Sequence, residues 1–111
     1  MDKKSEKQLE EELKDLKVKH GTVYSVIVPL DPDNADDTAT IYLKRSNRII
    51  TSAVRKTAQS DALKGVETAL KSLYIGGDSL AIVTGNDYAV QSCESAVVEI
   101  LSVQEATLKK N

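Results

Sequence analysis

The chain predicts an α+β fold: an N-terminal helix, a β-hairpin, then a small helical bundle of about three helices. Leucines at Leu9, Leu13 and Leu16 recur at spacings of four and three in a highly charged opening segment, which marks a helical stripe. The β-branched and aromatic run Val23-Tyr24-Ser25-Val26-Ile27-Val28 fits a strand. Beyond Lys44, apolar residues recur at helical spacing between residues that cap helices well. A length of 111 residues suits one domain.

The first helix is expected over Ser5 to His20, with Gly21 placed as its C-cap. Its leucine stripe is narrow and bordered by Glu and Lys, which suits a helix laid along a surface or paired with another helix. Two heptads are too few to hold an isolated coiled coil. A solvated helix docked on its own domain, or a partly disordered arm, is therefore favoured over a dimer seam. Residues 1–20 are read as this helix or arm, and residues 21–111 as the α+β domain.

The first strand is expected over Thr22 to Leu30, with Tyr24, Val26, Val28 and Leu30 sharing a face and Pro29 limiting pairing near its end. Asp31-Pro32-Asp33-Asn34-Ala35-Asp36-Asp37 is dense in turn formers. Extended character resumes over Thr38 to Lys44, where Ala39, Ile41 and Leu43 alternate with Thr40 and Tyr42. The expectation is a hairpin with a long acidic tip. Ser46 or Asn47 then caps a helix with Ile49, Ile50, Ala53 and Val54 on one face. Ser60 or Asp61 caps a second, carrying Leu63, Val66, Leu70 and Leu73 and ended by Gly76-Gly77. Leu80 to Val83 fits either a short third strand or the buried entry to the last helix. That helix, capped by Asn86 or Asp87, turns Ala89, Cys93, Ala96, Val97, Ile100 and Leu101 inward and extends towards Lys110.

Trp and Phe are absent and four tyrosines are the only aromatics, so the core must be built from Val, Ile, Leu and Ala. Marginal or partner-assisted stability is expected. The formal charge of −2 argues against a strongly basic nucleic-acid binder. The charge is unevenly spread, however: residues 31–37 hold four acids and no base, while residues 38–60 hold five bases and no acid. The single cysteine, Cys93, excludes an intramolecular disulfide and fits a reducing compartment. The charged N-terminus does not resemble a signal peptide. No apolar run approaches the ~18–20 residues of a membrane span, so the cytoplasm, or assembly there, is the expected location.

Catalytic chemistry is poorly provided for. Counted as a calcium loop from Asp31, the acidic tip has Ala35 at position five, Asp36 where glycine belongs and Tyr42 where a glutamate belongs; it reads as a turn. His20 is the only histidine, and a cation at a helix C-terminus is explained by the helix dipole. Cys93 falls on an inward helix face, where thiols are inert packing. The five glycines form neither a phosphate loop nor a dinucleotide fingerprint. No enzyme activity, metal or cofactor is expected. Lys44, Arg45 and Arg48, with Arg55 and Lys56 beyond, form a basic segment that suits phosphate or an acidic protein. Apart from Tyr42 it lacks the interleaved aromatics that stack bases, so nucleic acid is the less favoured partner.

The order of segments carries a more particular signal. The extended Val23-Tyr24-Ser25-Val26-Ile27-Val28 precedes a polar tip and a returning strand ending Tyr42-Leu43-Lys44-Arg45-Ser46-Asn47-Arg48. A helix follows, then a capped helix ending Leu73-Tyr74-Ile75-Gly76-Gly77-Asp78, and a last helix closing on Val103-Gln104-Glu105-Ala106-Thr107-Leu108-Lys109-Lys110. From Gly21 onward this resembles small proteins encoded among the structural genes of phages of gut bacteria. In architecture it is similar to the tail assembly chaperones of long-tailed phages. Ser46 stands where those proteins favour proline. The resemblance implies a non-enzymatic role in building a virion through protein–protein contacts, with phage structural proteins as partners and a homo-oligomer as a further possibility. The residues expected to meet a partner are Leu9, Leu13 and Leu16 on the first helix and Lys44, Arg45 and Arg48 at the start of the basic segment. The alternative is a small nucleic-acid-binding or regulatory module using residues 44–56.

Overall fold

The computed structural model describes residues 3–102, and the elements follow in the order α1 (Glu6–His20), β1 (Val23–Asp31), β2 (Asn34–Lys44), α2 (Arg48–Ser60), α3 (Ala62–Leu73), β3 (Tyr74–Gly77), α4 (Leu80–Thr84), α5 (Asp87–Ser92) and α6 (Glu94–Ser102). The α+β class and the order of N-terminal helix, hairpin and helices are as expected. The expected extension to Lys110 lies outside the described residues.

Ser5 starts α1 through a capping box: its side chain accepts from the Gln8 N–H, and the Gln8 side chain accepts from the Ser5 N–H. Gly21 ends it at φ 75°, a backbone conformation that glycine adopts without steric cost. Strands β1, β2 and β3 form an antiparallel sheet in that order. On its inner face Val28, Ala39, Ile41 and Leu43 are buried, with Tyr24, Val26 and Leu30 packed beside them. They meet Leu70 and Leu73 of α3, Val83 of α4, Ala89 and Val90 of α5, Cys93, and Val97 and Ile100 of α6 in one aliphatic core. Burying each such Val, Leu or Ile side chain contributes about 1.5–3 kcal/mol.

Residues alternate along β2, so Thr40 and Tyr42 point to the other face, where α1 lies. The Tyr42 hydroxyl donates to the Leu9 carbonyl at 3.0 Å, and the Gly77 N–H donates to a Glu12 carboxylate oxygen at 3.2 Å. Helix α1 is therefore docked along its own sheet. Leu16 is buried, and Leu9 and Leu13 are half-buried beneath it.

Four details depart from expectation. The hairpin turn is only Pro32-Asp33, because Asp31 pairs with Asn34 and the ladder shifts register between Pro29 and Asp31. The acidic cluster is thus mostly strand, with extra residues bulged on the β2 side. Leu80 to Val83, open between strand and helix entry, is helical in α4, and the third strand is instead Tyr74–Gly77. Glycines that mimic a helix stop instead let β3 pair closely with β2. The last helix breaks at Cys93 into α5 and α6, so among the described residues five helical segments follow the hairpin where about three were expected.

In α2, Ile49 and Ala53 face outward, and Thr51 and Val54 take the inward positions. A buried pair fixes that rotation: the hydroxyls of Ser46 and Thr51 are hydrogen-bonded at 2.8 Å. Hydrogen-bonding these two buried hydroxyls to each other offsets the cost of removing them from water. Helices α2 and α3 touch at Gly65, where an added Cβ would sit 2.6 Å from the Ala58 Cβ and 2.8 Å from its Cα. Gly65→Ala is expected to cost about 1–3 kcal/mol by overpacking, measured by urea unfolding. Adding Ala58→Gly should recover part of that loss; no recovery would place the strain elsewhere.

Candidate functional site

The outward side of α2 gathers the basic segment. Asn47 caps the helix by accepting from the Ile50 N–H at 2.9 Å, which makes Arg48 its first residue. Helical spacing then places Arg48, Ser52, Arg55, Lys56 and Gln59 on one side. With Leu101 of α6 they border an open depression of about 750 Å³. Helix α2 carries no acidic residue. Ile49, 81% exposed, stands beside Arg48. A second, apolar groove of about 190 Å³ runs between Val54 and Ala58 of α2, Val66 of α3, and Val97 and Val98 of α6. Arg55 and Leu101 border both concavities, so a basic surface and an apolar one adjoin.

Of the six residues expected to meet a partner, Arg48 lines the depression. Lys44, half-buried, and Arg45, exposed, sit at the far end of β2 and in the link to α2. Leu9, Leu13 and Leu16 face the chain's own sheet. Ile49 and the groove between α2, α3 and α6 were not anticipated. An apolar residue flanked by Arg48 is hard to distinguish from a core position until the helix rotation is known.

A second constellation ties α1 to the sheet. Asp78 is 3% exposed; its carboxylate accepts from the Lys4 N–H at 2.7 Å and from the Thr40 N–H at 2.8 Å. Its carbonyl accepts from the Tyr74 hydroxyl at 2.9 Å. The Lys4 ammonium donates to Glu12 at 2.7 Å, and this hydrogen bond raises the Lys4 pKa above its ordinary value. Burial raises both Tyr42 and Tyr74. Lys3 pairs with Asp37 at 2.8 Å.

At the tip, Asp31 accepts from the Asp33 N–H and Asn34 from the Asp36 N–H, local bonds that shape the turn. Among the described residues no three His, Cys, Asp or Glu side chains are grouped to hold a metal ion. None of the described helices is long and apolar enough to cross a membrane.

His20 is exposed at the end of α1, while Cys93 is 1% exposed on the other side of the sheet. Burial pushes the Cys93 thiol up to about 11 from an ordinary 9.0. The unfolded chain releases this proton first. The stabilisation is therefore complete below pH 9 and is lost as pH rises towards 11, by about 2–3 kcal/mol. Urea titrations at pH 8 and pH 11 should show this loss in the native chain and a smaller one in Cys93→Ala. Equal slopes in the two proteins would assign the alkaline sensitivity to other groups.

Searches of protein-family models, curated proteins and solved structures found no match to the chain.

Proposed function

We propose that the chain is a non-enzymatic virion structural or assembly protein, similar in role to a tail assembly chaperone, that holds a protein partner on the outward side of α2. The observation that carries this reading is the juxtaposition there of a basic helix face, an exposed Ile49 and an adjoining, largely apolar groove. Protein interfaces combine an apolar centre with charged or polar groups at the rim, and the basic rim selects an acidic partner surface. The partners on this reading are phage structural proteins, met in the host cytoplasm or in the particle.

Co-expression with the products of the genes flanking its own tests the reading. Portal or tail proteins are expected to elute with the native chain as a defined complex. Arg48→Glu/Lys56→Glu, shown by circular dichroism to be folded, should weaken that complex about tenfold or more, because two reversals set like charges against the acidic partner surface. A complex indifferent to the reversal, or no complex, would overturn it. The presence of Arg48, Arg55 and Lys56 around one depression also favours a second reading, nucleic-acid binding. That reading requires affinity for a single-stranded oligonucleotide that falls steeply with salt.

A further inference from the structure

We propose that the outward face of α2 receives the hairpin tip of a second copy of this chain, so that copies associate head to tail. The inference rests on α2 being a protein-docking surface and names the segment that occupies it.

The charge pattern supplies the complementarity. Residues 31–37 hold four acids and no base, and residues 38–60 five bases and no acid; Asp37 is already paired with Lys3 of its own chain, which leaves the exposed Asp33 and Asp36 for a second copy. The fold separates the two stretches. The tip lies where β2 begins at Asn34, whereas α2 begins just past the other end of β2 at Lys44. Eleven strand residues span about 35 Å at the usual rise. The acidic end and the start of the basic face are therefore presented at opposite ends of the hairpin, a geometry that one molecule offers to the next.

The shape is suitable as well. A two-residue Pro32-Asp33 turn makes a narrow projection, and the depression beside α2 is open and about 750 Å³ in volume. The tip is already shaped by the bonds of Asp31 and Asn34 to its own backbone, so little conformational freedom is lost on docking. Asp33 and Asp36 are exposed and supply carboxylates for Arg48 and Lys56, while Pro32 offers apolar surface to Ile49. Because tip and face are different surfaces, the contact is heterologous and either closes into a ring or propagates as a filament. Exposed ion pairs dominate it, so association should be strongest at low ionic strength.

Light scattering of the full chain over a range of concentrations tests this, at about 0.02 M and about 0.5 M salt, which bracket weak and strong screening. The native chain should show a mean mass at least about twice that of the monomer at low salt, as expected for a propagating contact, and fall to monomer at high salt. Two folded variants, Arg48→Glu/Lys56→Glu and Asp33→Lys/Asp36→Lys, should each be monomeric alone. Their equimolar mixture should associate again, because each reversed surface then meets its complement. A monomeric native chain at low salt, or a mixture that stays monomeric, would overturn the proposal. A monomeric chain that still forms a phage-protein complex sensitive to Arg48→Glu/Lys56→Glu would end self-association and leave the docking surface standing. Restored association without any such complex would keep α2 as the contact between copies and end the phage-protein partner.

Discussion

Gly77→Ala is expected to destabilise the fold by roughly 3–5 kcal/mol, combining backbone strain and overpacking. Gly77 has φ 95°, a region that side chains with a Cβ rarely enter. An added Cβ would also stand 2.5 Å from the Thr40 carbonyl oxygen and 2.8 Å from the Ile41 Cα. Both are backbone atoms of the central strand, held by pairing on each side, so they cannot swing away as a flexible side chain would. Gly21→Ala separates the two contributions. Gly21 also has positive φ, at 75°, but nothing lies within 4 Å of its added Cβ. It should cost only about 1–3 kcal/mol, the backbone strain of its positive-φ conformation alone. Urea unfolding of both variants decides the matter: equal losses would show that close approach to β2 contributes nothing.

The same glycine explains why one part of the fold was legible in the sequence and another was not. The caps at Ser5, Asn47, Asp61 and Asn86 are local signals, and each residue accepts a hydrogen bond from the backbone N–H of N3. The β1–β2 hairpin was readable from a period of two on both strands. Tyr74-Ile75-Gly76-Gly77 has no such period, and glycines after a leucine-striped segment imitate a helix stop. What makes it a strand is pairing with Ile41, Tyr42 and Leu43, residues over thirty positions away, which no local pattern encodes. The docking face is a similar case. Five bases in residues 38–60 are visible as a segment, but the grouping of Arg48, Arg55 and Lys56 depends on the rotation of α2. That rotation follows from the buried Ser46–Thr51 hydroxyl pair, and from sequence either hydroxyl reads as an ordinary cap or surface residue. The leucine stripe of α1 is visible in the sequence as a stripe. Its docking on the sheet's second face depends on Tyr42, Glu12 and Asp78, three residues with no common local signature.

Asp78→Ala is expected to cost about 2–4 kcal/mol, because the two N–H groups of Lys4 and Thr40 lose a shared charged acceptor. The effect should be uneven. The Asp78 N–H still donates to the Thr40 carbonyl at 2.7 Å, which keeps β2 and the turn after β3 together. The tie to Lys4, by contrast, has only the exposed Lys3–Asp37 pair beside it, which contributes little. Removing it leaves α1 held by Tyr42 to Leu9, by Glu12 to Gly77 and by a narrow leucine stripe in which only Leu16 is buried. Amide hydrogen exchange should therefore accelerate more across α1 than across β2, as local opening requires. Asp78→Asn retains one acceptor oxygen but turns its NH2 towards the other N–H donor, so it should recover less than half of the loss. If α1 and β2 lost protection equally in Asp78→Ala, the helix would be an integral part of the folding unit. If α1 alone loosened, the cover over Tyr42 would be separable from the domain, and the docking face on α2 could be assayed with α1 released while the core beneath the sheet stayed folded.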